Sequence, residues 1–214
     1  MDDKIVLTGL IGLVAAVLVG TGEFLLHFTN QGYDSKIPYH FMLDISRNRL
    51  TVGHFIAVLA APLYLVGFWH LYKMLEPAGG NLPLITTMVI GYGFIMGIIW
   101  IGSRAMIGSI IQSKIGPSDL AALIQSYQLY DESLLQIIRF TTLLGSAGFI
   151  YLVLNGNTAY PNWMWVFNPI FLLVSVFLIY LIIPAVGKYI MPIAMNVTYT
   201  IFFALSTYIA FRLR

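Results

Sequence analysis

Apolar residues neither alternate along this chain nor fall into a single helical stripe. They form continuous stretches of about 20 residues or more, enough for an α-helix to cross a hydrocarbon core about 30 Å thick. Six such stretches are expected, from Lys4 to His27, Thr51 to Leu75, Pro83 to Ser113, Asp131 to Leu154, Trp163 to Val186 and Lys188 to Arg212. Breaker-rich segments separate them: Gln31-Gly32-Tyr33-Asp34, Glu76-Pro77-Ala78-Gly79-Gly80, Gly116-Pro117-Ser118-Asp119, Asn155-Gly156-Asn157 and Pro184-Ala185-Val186-Gly187. Ser118 and Asp119 ahead of an apolar run predict a helical stretch lying at the interface before the fourth span. Membrane strands would alternate polar and apolar residues, and these stretches do not. The expected fold class is therefore all-α, a polytopic bundle of six transmembrane helices forming a single domain over residues 1–214.

Composition agrees. Of 214 residues, 59% are hydrophobic and only 9% charged, where a soluble domain carries roughly 25% charged residues. A soluble enzyme, a disordered protein and a disulfide scaffold are all excluded. There is no cysteine, so thiol catalysis and iron–sulfur ligation drop out. A net charge of +2 leaves no electrostatic footprint for nucleic acid. Asp2 and Asp3 precede Lys4 and no small-x-small cleavage site follows the first apolar run, so that run is expected to be a retained span rather than a signal peptide.

Six spans would place both termini on one side, here side A. Side A then carries Lys4, Lys73, Arg212 and Arg214 near span ends, and side B carries Lys36, Arg47, Arg49, Lys114 and Lys188. That near balance fixes no orientation by the positive-inside rule. Gly93 and Gly97 on the third span, and Gly9, Gly12, Gly20 and Gly22 on the first, are expected to let helices approach closely. Trp69, Tyr72, Tyr160, Trp163 and Trp165 read as an aromatic belt at side A.

The polar residues fall unevenly. Glu23, His27, His54, Arg104, Glu132, Arg139, Asn196 and Tyr199 all belong to the side B halves of their spans, whereas side A offers little besides His70. Ionisable groups inside a membrane usually face a bundle interior or a water-filled cavity, so a polar chamber toward side B is expected. Glu23 and His27, four residues apart, share one helix face, and His54 begins the next span at similar depth. His40 and Asp44 repeat the spacing between them. His27, His54, Glu23 and His40 are thus a candidate ligand set for zinc or another divalent metal. A metal-bound water would serve hydrolysis, with Glu132 or Asp44 as general base and Arg104 steadying an anionic head group.

Competing readings use the same residues. Glu23 can neutralise Arg104, Glu132 can pair with Arg139, and the set can act as a structural charge network or a proton relay. No HExxH or paired HxxxH is present. Haem is not expected, because His54 and His70 lie about 24 Å apart along one helix and about 160° apart around it. Prolines at Asn168-Pro169 and Met191-Pro192 are expected to kink the last two spans.

Gly22-Glu23-Phe24-Leu25-Leu26-His27 and Pro62-Leu63-Tyr64-Leu65-Val66-Gly67-Phe68-Trp69-His70 resemble stretches of an uncharacterised family of bacterial six-span integral membrane proteins. The resemblance implies a bacterial inner-membrane setting and carries no catalytic residue across. The functions left open are a metal-dependent enzyme acting on a lipid or amphipathic small molecule, a small-molecule binder or transporter, and a structural subunit. Membrane lipids are the expected surroundings in each.

Overall fold

The computed structural model describes residues 2–30, 38–113 and 115–214. The expected breaker Gln31–Asp34 and the basic residues Lys36 and Lys114 lie outside them. The described residues are helical and contain no strand. In order they form α1 (Asp3–His27), α2 (Arg47–Leu75), α3 (Leu82–Ile111), α4 (Pro117–Asn155), α5 (Pro169–Ile182), α6 (Pro184–Ile190) and α7 (Ala194–Arg212), with short 3-10 turns between several of them. Among the described residues, five helical stretches are long and apolar enough to cross a membrane, α6 and α7 together making the fifth.

Local chemistry sets the boundaries. Asp2 accepts from the Lys4 amide to cap α1, and Ser46 accepts from Arg49 to cap α2. Beyond the last turn of α1, Arg49 Nη2 donates to the Phe28 carbonyl at 2.8 Å. Helix α4 departs from expectation. It is one continuous helix of 39 residues, about 58 Å long, with no interfacial segment set apart. From Asp119 to Leu144 there is no glycine or proline, so nothing stops the helix from running on past Tyr130 and Asp131.

The fifth expected span also differs. Asn162–Phe167 is a 3-10 turn, and Asn168 then caps a new helix by accepting from the amides of Ile170 and Phe171. Asn168-Pro169 starts α5 rather than kinking it, because proline at the first helical position needs no amide partner. Helix α5 has 14 residues, about 21 Å, which is short of the hydrocarbon thickness. The chain reverses at Ile183, not at Pro184–Gly187. Pro184 opens α6, which folds back on α5 where a Cβ at Gly187 would collide with the Tyr180 backbone. Met191-Pro192 does break the last span, as a 3-10 turn over Met191–Ile193.

Close backbone contact organises the bundle. Helix α1 lies antiparallel on α2, and a Cβ at Gly12 would come within 2.8 Å of Gly67 Cα. Helices α3 and α4 form a second antiparallel pair through Gly93 against Thr141, Gly145 against Ile90 and Gly148 against Thr86. Helix α7 packs on α1, and α3 on α2, joining the pairs. Helix α5 rests on α6 and α7 and touches α4 near its own start, where the Ile170 amide donates to Ser146 Oγ at 3.2 Å. Beyond that point it stands away from the α3–α4 pair.

Candidate functional site

Where α5 stands away, a cavity of about 570 Å³ opens between the α3–α4 pair, α5 and the start of α7. That volume falls within the range of small-molecule pockets. Its walls are largely apolar, with Ile98 and Ile138 on one side and Leu173 and Phe177 on the other. Gly97 borders it, and a Cβ there would meet nothing nearer than Ile138 Cδ1 at 4.0 Å. The break at Met191-Pro192 also lines it, as irregular backbone in a membrane does where it borders a cavity.

Polar groups gather at the inner wall. Glu23 on α1 is buried, and its Oε2 accepts from Asn196 Nδ2 at 2.6 Å. Asn196 Oδ1 in turn accepts from the Tyr64 hydroxyl at 2.7 Å. Three helices thus meet in one chain of hydrogen bonds, and all three residues line the cavity. Gly20 makes room for it, since a Cβ there would press on Asn196 Cβ at 2.9 Å. Tyr199 lies 5.6 Å from Tyr64, ring centre to ring centre, and Phe94 lies 4.1 Å from it.

Next to this group lies a second network. His27 Nδ1 is 4.0 Å from Glu23 Oε1, and the His27 ring lies 5.3 Å from that of Trp100. The Arg104 guanidinium sits 3.8 Å over the Trp100 ring, a cation–π contact. Its carboxylate partner is Asp131 on α4, with Nη2 2.9 Å from Oδ1 and 3.2 Å from Oδ2. The Tyr39 hydroxyl donates to Asp131 Oδ2 at 2.8 Å. Tyr39 adopts left-handed backbone at φ 60°, a conformation uncommon for a non-glycine residue. The turn His40–Asp44 that follows is fastened to α3, because Gln112 Nε2 donates to the carbonyls of Met42 and Ile45 at 2.7 Å each. Burial and the Asp131 carboxylate together hold the Tyr39 hydroxyl well above its usual range.

The expected site residues therefore separate. Glu23, His27 and Arg104 are buried neighbours, but Arg104 is paired with Asp131 instead of Glu23. His54 is half-buried, faces α3 near Gly102, and packs its ring against Phe55. His40 and Asp44 are exposed at the two ends of a 3-10 turn. Glu132 points outward and binds Arg139 at 2.6 Å, both side chains more than half exposed. Among the described residues, no three His, Cys, Asp or Glu side chains come together as a metal site would require.

Side A holds more than was expected of it. His70 is fully buried, with Nδ1 2.7 Å from the Ile5 carbonyl and Nε2 2.7 Å from Ser206 Oγ. A carbonyl only accepts, so Nδ1 carries the proton, and in the neutral ring Nε2 accepts from Ser206. Tyr160 completes the group at 2.6 Å from Ser206. Tyr160 is thus a buried anchor and not part of an aromatic belt, whereas Trp69 and Trp163 do face outward. Burial raises its hydroxyl pKa. None of these residues lines the cavity described above, and the group is a clasp between α1, α2 and α7.

Sequence reasoning missed Asp131, Tyr39, Tyr64 and Ser206. For Asp131 a signal existed: Arg104 needed a carboxylate, and an uninterrupted α4 would have carried Asp131 inside the bundle. Comparison with curated proteins and with solved structures finds no match for this chain. Over residues 1–210 it matches the profile of a family of unknown function (DUF6796), and the chain belongs to that family.

Proposed function

We propose that this protein binds one amphipathic small molecule inside the bilayer, with an apolar chain in the cleft between α3, α4 and α5 and its polar end at Glu23 and Asn196. The observation that carries this reading is the polar trio Glu23, Asn196 and Tyr64 at the wall of an otherwise apolar cavity. Buried polar groups are costly in a membrane unless they meet partners. A few convergent polar groups in an apolar pocket are the usual mark of a binding site. Helix α5, too short to span and loosely held against α4, offers a side entrance from the lipid. A bacterial inner membrane is the setting we propose for this activity.

Co-purification tests it. The protein is extracted in mild detergent, delipidated by exchange, and its retained small molecules are identified by mass spectrometry. A single retained amphiphile, lost in Gly97→Phe, which fills the cavity, supports the proposal. Equal retention by the two proteins contradicts it.

A further inference from the structure

We infer that the polar end received by this cavity is a cation, a protonated amine or quaternary ammonium carried on an apolar chain and seated at Glu23 beside Tyr64, Phe94 and Tyr199. The inference rests on the binding reading above and adds the chemical class of the ligand. It follows from the charges that border the cavity. Arg104 lies behind Trp100, with its charge taken up by Asp131 at 2.9 Å. Arg139 borders the cavity at its exposed end and is bound by Glu132. Glu23 differs from both. Among the described residues its carboxylate is hydrogen-bonded by the neutral amide of Asn196. His27 Nδ1 stands 4.0 Å from its other oxygen, an ion pair only when that imidazole is protonated, and Arg104 acts on the carboxylate from farther away.

A carboxylate in such surroundings is expensive unless it is protonated or a cation accompanies it. A guest amine would bring a full positive charge to hydrogen-bond distance of Glu23, which no described residue does, and a guest carboxylate or phosphate would add a second negative charge beside the first. The aromatic lining points the same way. Tyr64, Phe94 and Tyr199 border the cavity around Asn196, and aromatic faces attract ammonium groups. The apolar reach from Ile98 and Ile138 to Leu173 and Phe177 suits the chain.

The test varies only the head group. Wild-type protein is placed in nanodiscs of zwitterionic lipid at pH 7, where an alkylamine is protonated. Binding of dodecylamine, dodecyltrimethylammonium, dodecanol and dodecanoate is measured above the signal of empty nanodiscs, and repeated with Glu23→Gln and Gly97→Phe. The two cations should bind at least about tenfold tighter than the alcohol, a difference of about 1.4 kcal/mol. Glu23→Gln should bring the cations to the level of the alcohol, and Gly97→Phe should remove binding of all. If the alcohol or carboxylate binds as tightly as the amine, the cation inference fails while the cleft reading stands. Cation preference unchanged in Glu23→Gln overturns the assignment to Glu23. If none of the four binds above background, the cleft reading falls as well. Should Glu23→Gln fail to fold, the ranking in the wild-type protein decides alone.

Discussion

Arg104 and Asp131 meet across the seam of α3 and α4, with Nη2 2.9 Å from Oδ1 and both side chains buried. They continue the line of contact that Gly93 and Thr141 begin further along the same two helices. The pair is an electrostatic fastening within a steric one. Removing one partner leaves a buried charge alone, which typically costs about 3–5 kcal/mol, whereas replacing both by apolar groups of similar size is often close to neutral. Asp131→Asn should therefore lower the thermal midpoint in detergent markedly, and Arg104→Met with Asp131→Leu should recover most of the loss. Additive losses in the double variant would count against the pairing.

His70 tests whether the side A group is a clasp or a site. His70→Ala strips a buried hydrogen-bond partner from Ser206 and from the Ile5 carbonyl. Ser206 keeps Tyr160 and the Ile5 carbonyl keeps Thr8 Oγ1, so the loss is that of two hydrogen bonds, about 0.5–1.5 kcal/mol each. The thermal midpoint should fall while amphiphile binding in the cleft, which neither His70 nor Ser206 lines, keeps its affinity in protein that remains folded. A specific loss of binding without loss of stability would show that the clasp and the cleft are coupled.

Close packing of α1 on α2 predicts a sharp contrast between glycines. A Cβ at Gly12 would lie 2.8 Å from Gly67 Cα and 2.9 Å from the Phe203 ring, while one at Gly91 would find only Phe68, at 3.8 Å. Gly12→Ala should destabilise by about 1–3 kcal/mol through overpacking. Gly91→Ala should be neutral or slightly stabilising, because alanine favours the helix. Thermal unfolding of the two variants side by side checks this.

Tyr39 gives a pH dependence with a definite sign. Its folded-state pKa is raised, first by burial and then by the hydrogen bond to Asp131, with Arg104 opposing and Tyr127 reinforcing the shift. Folding thus favours the protonated hydroxyl. Its contribution is complete below the unfolded pKa of about 10 and declines as pH rises from there toward the folded value. Stability of the wild type should fall progressively as pH rises above about 10, and Tyr39→Phe should flatten part of that fall. Tyr160, raised by burial, adds to that fall. Equal slopes for wild type and Tyr39→Phe would show that Tyr39 is not the group concerned.

The all-helical architecture and the close glycine contacts of α1 were legible because bilayer thickness and backbone approach act on composition alone. Pairing was not. Glu23 and Arg104 lie in the same half of the bundle, and opposite charge made them the obvious match. The register of α3 on α4 hands Arg104 to Asp131 instead, and that register is set by Gly93, Gly145 and Gly148 meeting side chains on the facing helix. Asp131 escaped notice because the segment before it resembled a connection. Tyr160 and Ser206 escaped because a tyrosine near a span end and a serine within a span are common in membrane helices. Only their meeting at His70 distinguishes them. The length of α5 depended on Asn168 acting as a cap, which the following proline could equally have signalled as a kink.

The most direct test of the binding account is a photo-crosslinking map. An apolar-chain amine bearing a diazirine is irradiated with the protein in nanodiscs, with and without excess unlabelled dodecylamine. Labelling that the competitor abolishes should fall on Gly97–Ile101 of α3, on Leu173–Phe177 of α5 and on Met195–Tyr199 of α7, the walls of the cavity. Labelling confined to outward-facing positions such as Leu7, Leu59 and Met88, and unaffected by the competitor, would contradict the account.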